Sequence, residues 1–217
     1  MDPGSTIPGA PLYVQTEGLG TGLVPYGSRG FSLSFDLLAS QLRLTTTDGT
    51  VRTVPLGSMS VAEFYDRVID VYVDMPVSIY PIPSEIPDAQ PMDQDTNTRP
   101  YDADHAQVLW RALLQAERGL TTFRAGFIGK VSPLHFFWGS FDLAVTRFSG
   151  RSAPPHPGGM PNFPDDVARE AYSHEVTSLG LLAGQSRLPH TDLLRLRLPD
   201  PGWIRPSQRR TRRRVLA

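Results

Sequence analysis

A small set of histidines and carboxylates carries most of the chemistry open to this chain. His135 and Asp142 lie in "SPLHFFWGSFDLAVTRFSG" (132–150), and His174 with Glu175 lies in "REAYSHEV" (169–176). Histidine beside a carboxylate is the standard set for acid–base work or for a divalent metal. No HExxH or HxH spacing is present, so no metal or other cofactor is expected, and the four residues would have to meet through the fold. Buried histidines bonded to backbone carbonyls are the plain alternative. His156 lies in a Pro/Gly loop able to fold over either group, and His105 and His190 complete the five histidines. His174 and Glu175 point to opposite sides of an extended strand, so strand geometry alone cannot bring both to one pocket.

Arg147 is the second signal. It falls in phase with the apolar row Phe141, Leu143, Val145, whereas Asp142, Ala144 and Thr146 form the other row. A buried guanidinium is costly unless paired, so the expectation is a strand bulge or a partner among Asp142, Glu170 and Glu175. With Arg151 it is also a candidate for anion binding, and Phe137 and Trp138 are candidate aromatic walls of a ligand pocket. Phe136 and Trp138 share one strand face and Phe137 takes the other. Aromatics on both faces imply a sheet covered on both sides or lining a cavity; core packing is the first reading. Other motifs are weaker. "EGLGTG" (17–22) has no phosphate-loop lysine and reads as a turn. Ser140 lacks the second glycine of a nucleophile elbow. Lys130, the single lysine, would be a nucleophile only if buried.

The elements that must position these residues are legible from periodicity. "PLYVQT" (11–16) and "GFSLSFDLL" (30–38) alternate as strands, and "QLRLTTTDGTVRTVPL" (41–56) is a hairpin turning at Asp48-Gly49. Ser60 and Glu63 fit a capping box ahead of a helix with Val61, Phe64, Tyr65, Val68 and Tyr72 on its apolar side. "MPVSIYPIP" (75–83) reads as a strand entering a proline-rich loop to about residue 100. A long helix is expected from about Asp102 to Phe123, then strands at "LHFFW" and "FDLAVTRF" broken at Gly139-Ser140. A loop, a short helix at "DDVAREAYS" and a last strand at "HEVTSLGLL" follow. This order predicts an α+β fold, a mostly antiparallel sheet with two main helices packed on it.

Composition narrows the class. The chain has 217 residues and no cysteine, which excludes disulfides and thiolate metal sites. It shows no secretory leader and no apolar run of membrane-spanning length, so a cytoplasmic, soluble protein is expected. Charge is uneven: residues 1–186 hold 12 basic and 20 acidic side chains, residues 187–217 hold 9 and 2. Twenty of the basic residues are arginine, a bias that fits a GC-rich bacterial genome.

"FIGKVSPLHFFWGSFDLAVTRFSGRSAPPHPGG" with "REAYSHEV", "PLYVQTEGL" and "YPIPSEIPD" resembles the signature of an uncharacterised bacterial family classified as a domain of unknown function. The resemblance covers about residues 10–184 and implies no activity, substrate or cofactor. Relatives look longer at both ends. "LLRLRLP" (193–199) can be encoded so that dropping one base reads Phe-Tyr-Ala-Tyr-Ala-Tyr-Pro, similar to what relatives carry after "SHEV". The expectation is therefore a disordered N-terminus (1–10), one domain (11–184), and a basic tail (185–217) that is non-native or disordered, an out-of-frame reading. A genuine tail would attract phosphate through "RRTRRR" (209–214), but nucleic acid is not the expected partner. Exposed sheet edges would favour a homodimer. Three functions stay open: a small-ligand binder of unassigned activity, a hydrolase or metal-assisted enzyme using His135, Asp142, His174 and Glu175, and an interaction protein acting through its basic end.

Overall fold

The computed structural model describes residues 11–72, 88–160 and 163–182 in full, and the backbone of 192–198. Strands β1 (Tyr13–Val14), β2 (Gly18–Gly20), β3 (Val24–Tyr26), β4 (Arg29–Asp36), β5 (Gln41–Thr46) and β6 (Val51–Pro55) form an antiparallel sheet in the order β1-β2-β4-β5-β6, with β3 also on β4. A two-residue pair joins β7 (Met59–Ser60) to β8 (Thr98–Arg99). A second antiparallel sheet follows the order β12-β11-β10-β9, from β9 (His135–Phe137), β10 (Asp142–Ser152), β11 (His174–Leu182) and β12 (Asp192–Leu198). Helices α1 (Val61–Val71), α2 (Ala103–Ala125) and α3 (Asp165–Ala171) complete the fold. The α+β expectation therefore holds.

The two sheets meet edge to edge. Leu12 and Phe136 exchange both backbone hydrogen bonds, at 3.0 and 2.7 Å, so β1 continues the ladder begun by β9. Directly opposed residues of an antiparallel pair share a face, and the registers then trace two rows across the molecule. One runs through Leu12, Phe136, Leu143 and Leu181, and its neighbour through Val14, Leu19, Phe35, Leu42 and Val54. These face the helices: Leu113 and Leu120 of α2 close a core with Leu12, Leu19, Phe136, Leu143 and Val145. The opposite row is polar or small: Thr53, Arg43, Ser34, Gly20, Tyr13, His135, Ala144 and Gly180.

Local chemistry explains the elements. Gly49 adopts φ +89° in the β5–β6 turn, which Asp48 closes by accepting from the Thr50 N–H at 3.1 Å. Ser60 caps α1 by accepting from the Glu63 N–H at 3.1 Å, and Asp102 caps α2 through the His105 N–H at 3.0 Å. Trp110 is buried on α2 and donates from Nε1 to the Gln15 carbonyl at 3.0 Å, tying the helix to the β1–β2 turn.

Three readings change. "EGLGTG" is not only a turn: Gly18–Gly20 is a strand, because Gln15 and Gly18 close a tight hairpin whose return arm pairs with β4. The segment assigned to a basic tail contains a paired strand, since Asp192–Leu198 lies in unbroken register with Val176–Leu182. The described part of the proline-rich stretch wraps on the body as expected but is not all loop: it holds a 3-10 turn at Met92–Gln94 beside α1 and strand β8 paired with β7, and the Ala62 N–H bonds the Asp95 carbonyl. The strand expected at 75–83 falls outside the described residues.

Candidate functional site

Strand β10 is the axis on which the candidate residues are placed, and its length separates them. Asp142 is in register with Leu182 at one end of β11, whereas Ser152 is in register with His174 at the other. Eight residues of strand put His174 about 26 Å from the Asp142 level, at roughly 3.3 Å per residue. The four-residue cluster of His135, Asp142, His174 and Glu175 is therefore not assembled. Among the described residues no three His, Asp or Glu side chains are grouped as metal ligands.

The near end holds His135 and Asp142. The imidazole lies edge-on between the rings of Tyr13 (5.4 Å) and Phe137 (5.6 Å), and its Nε2 is 3.4 Å from Tyr13 Oη. Burial pulls its pKa down. Asp142 lies opposite Phe137 on the same face and accepts a hydrogen bond from the Ser140 hydroxyl. Burial pushes the Asp142 carboxyl up, with Ser140 acting against it. The break between the strands is a turn in which Phe141 takes φ +59° and donates its N–H to the Phe137 carbonyl at 2.7 Å. Trp138 packs against the α2-facing core, as its alternation with Phe136 predicts. Phe137, however, is 42% exposed, so this face is not covered there by the described residues.

The far end holds a cleft of about 540 Å³. Its walls come from Phe127 to Lys130, from Phe148 to Gly150, from Glu170 and Ala171 at the end of α3, and from Ser173 and His174. The first wall is fixed by backbone bonds to β10: the Phe148 N–H to the Lys130 carbonyl at 3.0 Å, and the Ser132 N–H to the Thr146 carbonyl at 2.8 Å. The second wall kinks because β10 bulges between Phe148 and Ser152, where Gly150 takes φ +81°. Lys130 Nζ stands 5.0 Å from the centre of the Phe148 ring, and Ile128 is fully exposed. Glu175 turns aside from the cleft to Arg151 Nε (2.7 Å) and Ser149 Oγ (3.2 Å).

Arg147 corrects the sequence expectation. Among the described residues it has no carboxylate partner and its strand does not bulge at that point. Its guanidinium carbon lies 3.5 Å from the centre of the Phe123 ring and 5.4 Å from that of Phe127, with Nε buried and unbonded. Asp142 faces the other side of the sheet and Glu175 bonds Arg151, so the aromatic faces at the end of α2 receive the charge. Arg151 is a surface ion-pair partner, its side chain 75% exposed. His156 is buried, stacked on Tyr172 at 5.0 Å with its Nδ1 accepting from the Gly158 N–H at 3.0 Å. His105 lies in the first turn of α2, its Nδ1 2.9 Å from Oδ2 of the capping Asp102, and His190 falls outside the described residues. Sequence reasoning gave no weight to Phe127 and Ile128, considered Glu170 only as a partner for Arg147, and considered Lys130 only as a nucleophile. The available signal was "FIGK", two large apolar residues and a lone lysine around a glycine.

The sequence matches DUF5996, a family of unknown function, over residues 7–211. The chain belongs to that family. The DUF5996 match runs past Gly184, where the resemblance in the sequence fades, and takes in β12. No curated protein and no solved structure matches the chain. The family carries no assigned activity, so function has to be argued from the sites. Among the described residues no helix is long and apolar enough to cross a membrane.

Proposed function

We propose that this DUF5996 chain binds a small amphipathic carboxylate in the cleft between the 127–130 loop, the β10 bulge and the end of α3. The observation that carries the reading is Lys130: a single ammonium beside an apolar floor, in a cleft whose volume suits one small molecule. Phe127, Ile128 and Phe148 would take the apolar part of the ligand, and Lys130 the carboxylate, with His174 on the opposite rim. Glu170 lines the same cleft and opposes a second negative charge, which favours a monoanion over a phosphate dianion.

Calorimetric titration with hexanoate, and with hexanamide as its uncharged counterpart, tests this. Hexanoate is expected to bind, hexanamide to bind at least about tenfold more weakly, and Lys130→Gln to remove the difference, since a charge-assisted contact is worth roughly 1.5–3 kcal/mol. Equal binding of the two probes, or no effect of Lys130→Gln, would refute the carboxylate assignment.

A further inference from the structure

The outer face of the sheet at the near end of β10 carries a second arrangement, independent of the cleft. Its parts come from three strands. Tyr13 of β1 contacts His135 of β9, and Asp142 of β10 sits diagonally across from His135, because His135 pairs with Ala144 and Phe137 with Asp142. Diagonal neighbours on one face of an antiparallel pair are about 7–8 Å apart, so both side chains can reach one small molecule lying on the face. Next to them Ala144 and Gly180 continue the row with little bulk, while the half-exposed ring of Phe137 and Leu182, each opposite Asp142, form the sides.

We propose that His135 and Asp142 form a proton-transfer site for a small uncharged carbon acid, with His135 as the base and the Asp142 carboxyl as the hydrogen-bond donor to the atom that gains charge. The imidazole is held between the Tyr13 and Phe137 rings, with one nitrogen engaged. When Nε2–H donates to Tyr13 Oη, Nδ1 keeps its lone pair, and among the described residues it has no partner. Ser140 donates to Oδ1 of Asp142, leaving Oδ2 to carry the acid proton toward the substrate. The shared burial favours the required states, since it keeps the carboxyl protonated to higher pH and the imidazole neutral to lower pH than in water.

In the reaction, the C–H bond breaks and its proton moves to Nδ1. The freed electron pair forms a new π bond on the substrate, and a heteroatom accepts the displaced charge while bonded to the Asp142 hydroxyl. The imidazolium then returns its proton to water. No oxidant, metal or second reactant is needed.

The probe is 5-nitrobenzisoxazole, in which loss of the carbon-bound proton forms a nitrile, breaks the N–O bond and releases a coloured phenolate. The protein is expected to open it faster than an equal concentration of free imidazole. His135→Gln should lower the protein-catalysed rate about 100-fold, the usual scale for losing a general base, and Asp142→Asn about tenfold. His105→Gln, which removes an exposed imidazole elsewhere, should leave the rate unchanged. A second readout does not depend on turnover: imidazole ¹⁵N shifts should show His135 with Nδ1 unprotonated, and Tyr13→Phe should erase that preference. A rate no higher than free imidazole, a rate indifferent to His135→Gln, or a His135 protonated at Nδ1 would each overturn the proposal.

Discussion

At one end of β10, Asp142 and His135 are half withdrawn from water, His135 between the rings of Tyr13 and Phe137. At the other, Arg151 and Glu175 meet as an ion pair with the arginine three-quarters exposed, beside a cleft that holds Lys130 and His174. Both ends use titratable side chains on one antiparallel ladder, yet burial favours the neutral forms of the first pair, while the second pair meets at the solvent-exposed surface. The difference teaches that the surroundings a strand passes through decide what its residues can do. His135 and His174 serve different places because the length of an extended strand separates them.

The strongest way to break the contrast is to remove what aligns the two sheets. Phe136 is 1% exposed, bonds Leu12 through its backbone and packs into the α2-facing core. Phe136→Ala should cost about 3–5 kcal/mol, read from urea unfolding, because it leaves a cavity at the junction. Arg147→Ala should cost less, about 1–2 kcal/mol, since it removes a desolvated guanidinium–ring contact and its aliphatic packing. It should also lower hexanoate affinity, because the Phe127 wall loses its support.

Titration sharpens the comparison. Asp142 has a folded pKa above its ordinary 3.8, so the native state holds the proton more tightly and stability falls as pH rises from about 3.8 through the folded value. Asp142→Asn should abolish that slope. His135 is shifted below its ordinary 6.5, so the unfolded chain binds the proton first and stability is lost as pH falls below 6.5 through the folded value. His135→Gln should flatten that limb. Unfolding midpoints measured across pH 3 to 8 would show both. Smallest of all, Arg151→Gln should change stability by less than about 0.5 kcal/mol, because its ion pair is solvated and screened by salt.

Much of the fold was legible because alternation and capping are local. The 41–56 hairpin, the Ser60 cap and the opposed faces of Phe136 and Phe137 all follow from neighbouring residues alone. What escaped was set by tertiary partners. Glycine-rich Gly18–Gly20 becomes a strand only because β4 offers it an edge, and Arg147 finds Phe123 rather than a carboxylate because α2 ends there. The cleft was hidden for the same reason. Its walls come from residues 127–130, 148–150 and 170–174, which no periodicity connects.

The most direct test of the ligand-binding account is a ¹H–¹⁵N correlation titration of the whole chain with hexanoate. The account predicts saturable shifts at Gly129, Lys130, Ser149, Gly150, Ser173 and His174, with Tyr13 and His135 unmoved and the response lost in Lys130→Gln. Shifts that fail to saturate, or that fall on the opposite face of the sheet instead, would contradict it.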